Sequence, residues 1–562
     1  MTIIPIIISS DKTQLTIFRN KTAYPVYLTI GNLPKHIRRK PSRQGQVLLA
    51  YLPTSKLNHI PNKAARRRSV ANLFHACMGF LLKPLERLGL TGLLMKSGDG
   101  AVRDCHPILA AYAGDYPEQI LVTCTKTGEC PTCPTPRDEL DNSEAVQDPR
   151  ELAPILHALG AIVDGPAAFS QACQDAGIKP IQQPFWQHLP FLNIFRSITP
   201  DILHQLYQGN VKHLIQWLQD AYGDAEIDAR CRRLPPNHNI RLFFKGISHL
   251  SRITGTEHDQ ICRFLLGLII DIRIPSTSRG TMSQLVRAVR GLLDFLYLAR
   301  YPVHTVETLD QMESALQMYH ENRQVFIDLG IRYDFNFPKD HFLNHYRNLI
   351  ELFGTTDNFN TEYTERLHID LAKDAFRATN SKDEYPQMTA WLDHRERVLL
   401  HEKFILRRFQ ANSLPDHPPQ IPHLVYSREM KMSTQPSVYG VSLEDIETRY
   451  GALDFKRALS WYVVYCQHPE FSRRQVEDAA AHLYLPFHKI SVFHRIKFIS
   501  KDLYSLDSSA HMVVDSIHCE PSSRHDYIPG RFDTALINIK DGFQAGVKGT
   551  LFRVVASRHL ML

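Results

Sequence analysis

Two metal-ligand pairs more than two hundred residues apart constrain this chain most: Cys130-Pro-Thr-Cys133 and His341-Phe-Leu-Asn-His345. A Cys-x-x-Cys turn lets both thiolates meet one tetrahedral ion, and histidines four apart on a helix project from one face. If one Zn2+ takes all four, folding must join the two ends of the intervening stretch. With every coordination position filled, that zinc is structural. Taken alone, CxxC has a thioredoxin-like redox pair as its rival, although no thioredoxin-type context surrounds it here, and HxxxH is more often a pair of core or surface histidines. Of the ten cysteines only Cys124, Cys130 and Cys133 cluster, which favours a reduced compartment with one metal site over a disulfide framework.

At 562 residues the chain exceeds one ordinary core, so about two to four domains are expected. A hydrophobic content of 43% with 22% charged residues fits a folded globular protein. The opening TIIPIIISS lacks a basic flank and a small-residue cleavage site, so it reads as a buried strand and not as a signal peptide. No stretch approaches the ~20 apolar residues of a membrane span, the nearest being 264–272, so no membrane partner is expected. Residues 2–9, 24–31 and 46–52 read as strands, 70–89 as a helix, and 106–113 as a further strand. From about 120 to 340 the strand signal fades, and 200–222, 240–273 and 283–300 carry helical periodicity. Residues 338–352 and 361–378 also read as helices. The Pro-rich 414–422 marks a linker, followed by helices near 443–466 and 473–483 and short strands from about 511. The fold class is therefore α/β, a mixed core interrupted by a large helical insertion and followed by an α+β C-terminal domain. The boundaries fall at 1–119, 120–337, 338–412 and 413–562.

Asp11 and Asp115 each follow a predicted strand, so their carboxylates emerge where open α/β sheets present their chemistry. Two such acids and a third on a helix, Glu365 or its neighbour Glu362, can share a pair of Mg2+ ions, which prefer oxygen ligands. Two ions about 3.5–4 Å apart suit phosphodiester cleavage. Each acid alone is more often a cap or turn former than a metal ligand. Asp201 and His204 stand at a helix start, where an acid commonly bonds its own first turn. The net charge of +7 allows a polyanionic partner, and the basic runs 35–43 (with Arg38, Arg39, Lys40) and 63–68 (with Arg66, Arg67, Arg68) concentrate it. Those runs also read as solvated surface or as a nuclear-import signal.

The stretches IIISSDKTQLT, NKTAYPVYLTIGNLPKHIRRKPS, ITPDILHQLYQGNVKHLIQWL, HFLNHYRNLIELFG and TERLHIDLAKDAFRATN resemble the Plavaka family of fungal transposases, relatives of the CACTA (En/Spm) elements. The closing PGRFDTALINIKDGFQAGVKGTLFRVV resembles that family too. The resemblance implies an RNase H-like core with a DDE triad: Asp11 in SSDKTQLT, Asp115 in AGDYPEQ and Glu365 in TERLHI, holding Mg2+ or Mn2+. The wider group, which includes the RAG recombinase core, also carries a CxxC, a D/C-xx-H and an HxxxH about twenty residues before the glutamate. These match Cys130/Cys133, Asp201/His204 and His341/His345, and favour Glu365 over Glu362. Implied with them are double-stranded DNA as substrate, cleavage followed by strand transfer, a homodimer or larger assembly for pairing ends, and a nuclear location. Family members usually carry several hundred residues before the first acid. The ten before Asp11 lead to the expectation of a truncated copy, and of an alternative in which a catalytically inactive derivative binds DNA or protein.

Overall fold

Strand β1, Thr2–Ser10, forms because isoleucines dominate its run and its last residues, Ile8, Ser9 and Ser10, are buried on both faces. In the computed structural model it is central to a five-stranded sheet with β2 (Pro25–Ile30), β3 (Val47–Tyr51), β4 (Leu93–Lys96) and β5 (Val102–Ala113), in the order β3-β2-β1-β5-β4. The structure describes residues 1–16, 21–98, 100–142, 148–235, 237, 240–251, 253–274, 279–411, 428–501, 512–521, 530–532, 534–538 and 552–556. Among them no helix is long and apolar enough to cross a membrane.

β1 pairs antiparallel with β2 and parallel with β5, so a crossover is required between the two parallel strands. Helix α1, Lys63–Thr91, supplies it. Its buried residues Ala71, Phe74, His75, Met78 and Leu82 recur at three- and four-residue steps, so one stripe faces the sheet. Burial of each large apolar member contributes about 1.5–3 kcal/mol. Phe74 stacks on Tyr24 at 5.9 Å between ring centroids. The Asn62 side chain caps α1 by accepting from Ala64 and Ala65 N–H, and Gly92 ends it at φ +72°, a conformation glycine adopts without cost.

An irregularity in the β1–β5 ladder decides which residues stand level at the end of the two strands. Ile6 pairs with Leu109 but Ile7 pairs with Ala111, so Ala110 is an extra residue in β5. Beyond this bulge Ser9 is the partner of Ala113, and the same register carried two residues on aligns Asp11 with Asp115. Were Ala110 paired in regular register instead of bulged out, Asp11 would face Gly114. A third segment joins at that end: Tyr112 N–H donates to Ser197 O at 2.8 Å, and Ile198 makes a parallel bridge with Tyr112 just before Asp201.

After α2 (Tyr116–Val122), the described residues up to Asn322 hold helices and isolated bridges, including α3 (Arg279–Ala299) and α4 (Val306–Asn322). The 200–222 stretch is a π-helical segment, Ile202–Val211, continued by an α-helix to Tyr222, whereas the helix expected from 240 begins only at Gly255, behind a Thr254/Glu257 capping box. Residues 338–353 are broken into Pro338–His341, a 3₁₀ turn Phe342–His345, and Tyr346–Phe353. Then come α5 (Glu362–His368), a second π-helical turn, Ile369–Lys373, and the long α6, Glu384–Ala411.

The chain divides into two compact units: residues 1–227 with 250–413, and 228–249 with 414–562. The second contains an antiparallel sheet of Arg428–Met432, Arg495–Lys501, Met512–Glu520 and Arg531–Phe532, and a core built on Val441, Ile446, Tyr450, Phe455 and Val492. The helical stretch expected at 443–466 is divided into Leu443–Thr448 and Phe455–Gln467, Arg473–Ala481 agrees with the sequence reading, and strands also precede them. The expected linker at 414–422 and much of the closing 529–555 stretch lie outside the described residues.

Candidate functional site

Cys130 and Cys133 lie in the loop after α2, and folding brings them to His341 and His345. One ligand atom from each of the four lies within 4.8 Å of all the others, and all four residues are buried. Cys133 Sγ is 3.0 Å from His341 Nε2 and Cys130 Sγ is 3.4 Å from His345 Nε2, near the roughly 3.5 Å edge that usual Zn–S and Zn–N lengths give a tetrahedron. His341 Nδ1 lies 3.0 Å from Leu140 O, which fixes the tautomer whose Nε2 is free to ligate. Burial pulls His345 below the usual imidazole range, keeping it neutral. The Cys133 thiol is held well below its usual range by the hydrogen bond from Cys130 and, against burial, by the two imidazoles. Second contacts brace the set. Arg150 reaches Glu129 and the Cys130 carbonyl, while the fully buried Asp340 accepts from Tyr319 Oη at 2.8 Å and pairs with Arg323. The donor set and its geometry fit zinc, and among the described residues this is the one group of three or more His, Cys, Asp or Glu whose ligand atoms are gathered this closely; Asp11, Asp115 and Glu365 are not so gathered. The histidines do not share one regular helix, because a 3₁₀ turn rotates His345 toward the thiolates.

Asp11 and Asp115 emerge side by side from β1 and β5. Burial, then the Asp115 carboxylate, raises Asp11 to about 6, while His204 and the Lys12 amide pull against this and Glu365 adds to it. Burial also raises Asp115, opposed by the Glu118 N–H that its side chain accepts at 2.9 Å and by His204. The Asp115 carboxylate thus bears on Asp11, and Asp201 bears on Asp115 in the same sense. Glu365, on the first turns of α5, sits 2.8 Å from His204 Nε2. His204 Nδ1 in turn lies 2.7 Å from Asp201 Oδ2. Burial lowers the His204 pKa, but its bonds to Asp201 and Glu365 outweigh that and hold it at about 11, so the ring is an imidazolium. Asp201 is saturated: it accepts from Leu203 and His204 N–H, from His204 Nδ1 and from Thr361 Oγ1. The sequence therefore points to five residues that one end of the sheet gathers into a single electrostatic neighbourhood. Glu362 is exposed, and the Arg300 charge opposes the rise that burial gives its carboxyl.

A residue that sequence reasoning misses lies behind the acids. Glu118 is buried, accepts from Tyr24 Oη at 2.7 and 2.8 Å, and bonds Ser10 Oγ, whose oxygen is 2.5 Å from Tyr112 Oη. Burial raises Glu118 to about 8 in spite of the Ser10 and Tyr24 bonds, with Asp115 and Asp11 pushing the same way. Three residues after Asp115, it reads from sequence as the far end of a capping box. Lys339 is missed as well: its Nζ donates to His204 O at 2.7 Å and its charge faces Asp115.

The basic runs part company. Arg38 is buried and donates to Asn358 at 2.8 Å, and Arg39 and Lys35 pair with Asp357, so this arm ties the segment ahead of α5 to the sheet. Lys40, Arg67 and Arg68 are exposed, and Arg66 is half-buried.

Residues 1–218 match the Plavaka transposase family, and residues 405–555 match a domain of unknown function, DUF6830. A search of curated proteins finds no match.

Proposed function

From the premise that residues 1–218 are Plavaka-family transposase sequence, we propose that this chain is a DNA strand transferase of the DDE type. Its RNase H-like core comprises 1–119 and 338–412, the helical insertion 120–337 interrupts that core, and 413–562 is a separate C-terminal domain. The observation that carries the reading is the register that sets Asp11 level with Asp115, with Glu365 held in their field by His204.

Asp11, Asp115 and Glu365 would hold two Mg2+ or Mn2+ ions. Bound there, the ions supply activation of the attacking oxygen and neutralisation of the leaving one at a phosphodiester. The chain's own residues do the rest. The strand ends fix two carboxylates at one level, His204 holds Glu365 in place, and Asp201 and Thr361 fix the ring of His204. Glu118 presents a neutral acid to the back of Asp115, limiting the negative charge packed behind the site. The zinc clasp of Cys130, Cys133, His341 and His345 holds the loop after α2 against the segment leading to α5. Double-stranded transposon ends and target DNA are the substrates, an assembly of at least two copies pairs the ends, the CACTA elements are relatives, and the nucleus is the place of action.

The test is cleavage of duplexes bearing the element's terminal repeats, with Mg2+ or Mn2+. Asp115→Ala abolishes cleavage and leaves zinc content and circular dichroism unchanged. Cleavage at the wild-type rate would remove Asp115 from the site.

A further inference from the structure

A groove of about 530 Å³ opens in the first unit, and six of its lining residues come from three separate stretches: Lys12, then Thr54, Ser55 and Lys56, then Arg66 and Arg67. Lys12 directly follows Asp11, residues 54–56 follow the end of β3, and the arginines lie in the early turns of α1. No acidic and no aromatic side chain lines it among the described residues. None of its four cations pairs with a carboxylate among the described residues, whereas Lys35, Arg39, Arg300 and Arg347 all do. The Lys12 ammonium is anchored 5.2 Å from the ring centroid of Tyr24, whose hydroxyl bonds Glu118 behind the acids. The groove and the acid cluster therefore share a wall.

Four cations gathered without a counter-charge repel one another, and a polyanion laid among them relieves that cost. Hydroxyls at Thr54 and Ser55 add donors suited to phosphate oxygens. Single-strand binders ordinarily add aromatic platforms for base stacking, and this groove has none. We propose that the groove seats the phosphate backbone of duplex DNA flanking the strand that reaches Asp11 and Asp115, and that it reads no bases. This rests on the strand-transferase reading. It assigns Lys12, Thr54, Ser55 and Lys56 to DNA contact and leaves Arg38 and Arg39 to internal bracing.

The test uses the full-length, zinc-loaded chain in magnesium-free buffer with three fluorescent probes: a terminal-repeat duplex, a duplex of shuffled sequence and the matching single strand. Binding is measured from 50 to 200 mM KCl. The double variant Lys56→Gln/Arg67→Gln weakens both duplexes equally and makes the slope of log K against log[KCl] shallower by about two, since each lost phosphate contact removes roughly 0.9. Lys56→Gln alone, at an exposed position, makes it shallower by about one. Wild-type binding with an unchanged slope in the variants overturns the groove and leaves the strand-transferase reading standing. A loss confined to one duplex sequence, or larger for the single strand than for the duplexes, also overturns it. A wild-type chain that binds no duplex at any salt overturns both.

Discussion

His204 carries more of the candidate site than any acid does, because among the described residues it is the one cation that pairs with both Asp201 and Glu365. His204→Ala leaves the buried Asp201 carboxylate without its partner, and breaking such a pair costs about 2–4 kcal/mol here, at or below the usual range because the ring is partly exposed. Urea unfolding checks this, and Asp201→Asn in the same background restores part of the loss. Legibility differs residue by residue. Asp11 and Asp115 are readable as acids at strand ends, but only the family resemblance singles them out, since each alone also fits a cap or turn former and Asp115 does cap α2. Glu118 is not, because an acid three residues after an N-cap is the commonest pattern at a helix start, and only the tertiary approach of Ser10 and Tyr24 turns its side chain inward. The basic run 35–43 misleads for a related reason: charge density does not reveal that Asp357, more than three hundred residues later, neutralises two of its members.

The elements are legible where one period dominates. Helix α1 and strands β1 to β3 follow their patterns, but the edge strand β4 escapes notice because it is short and its residues are exposed. The break at 338–353 is also invisible, since a 3₁₀ turn keeps nearly the same apolar spacing as an α-helix. Two predictions belong at this scale. A Cβ at Gly114 would come within 3.0 Å of Glu118 Cβ and Cγ, so Gly114→Ala pushes α2 away from the sheet. Its expected cost is about 1–3 kcal/mol in chemical denaturation, with weakened Mg2+-dependent cleavage. Zinc analysis is expected to give one ion per chain, and Cys133→Ser to lose it. With it goes the protection from proteolysis of the loop after α2, while the C-terminal unit keeps its own.

For the whole molecule, pH works through opposed buried groups. Burial pulls His75, His258 and His368 down to about 4, so the stability they contribute is present above pH 6.5 and is lost as pH falls toward 4. Glu118 and His204 are raised, to about 8 and about 11, so the native state holds their protons where the unfolded chain has released them. Stability from Glu118 therefore declines as pH climbs from 4.5 to about 8, and that from His204 as it climbs from 6.5 to about 11, so above 6.5 the two fall together. The melting temperature of the zinc-loaded, magnesium-free protein is expected to peak near pH 6.5 and fall by pH 8, with Glu118→Gln removing about half of the fall. Zinc binding at the Cys2His2 group would also order events in time. Cys130 and His345 are 215 residues apart, and at ribosomal speeds of 5–20 residues per second the second imidazole is made roughly 10–40 seconds after the thiols. Throughout that interval the nascent polypeptide carries two uncoordinated sulfhydryls, open to oxidants and to chaperones, so the yield of mature protein should track the zinc supply of the cell that translates it.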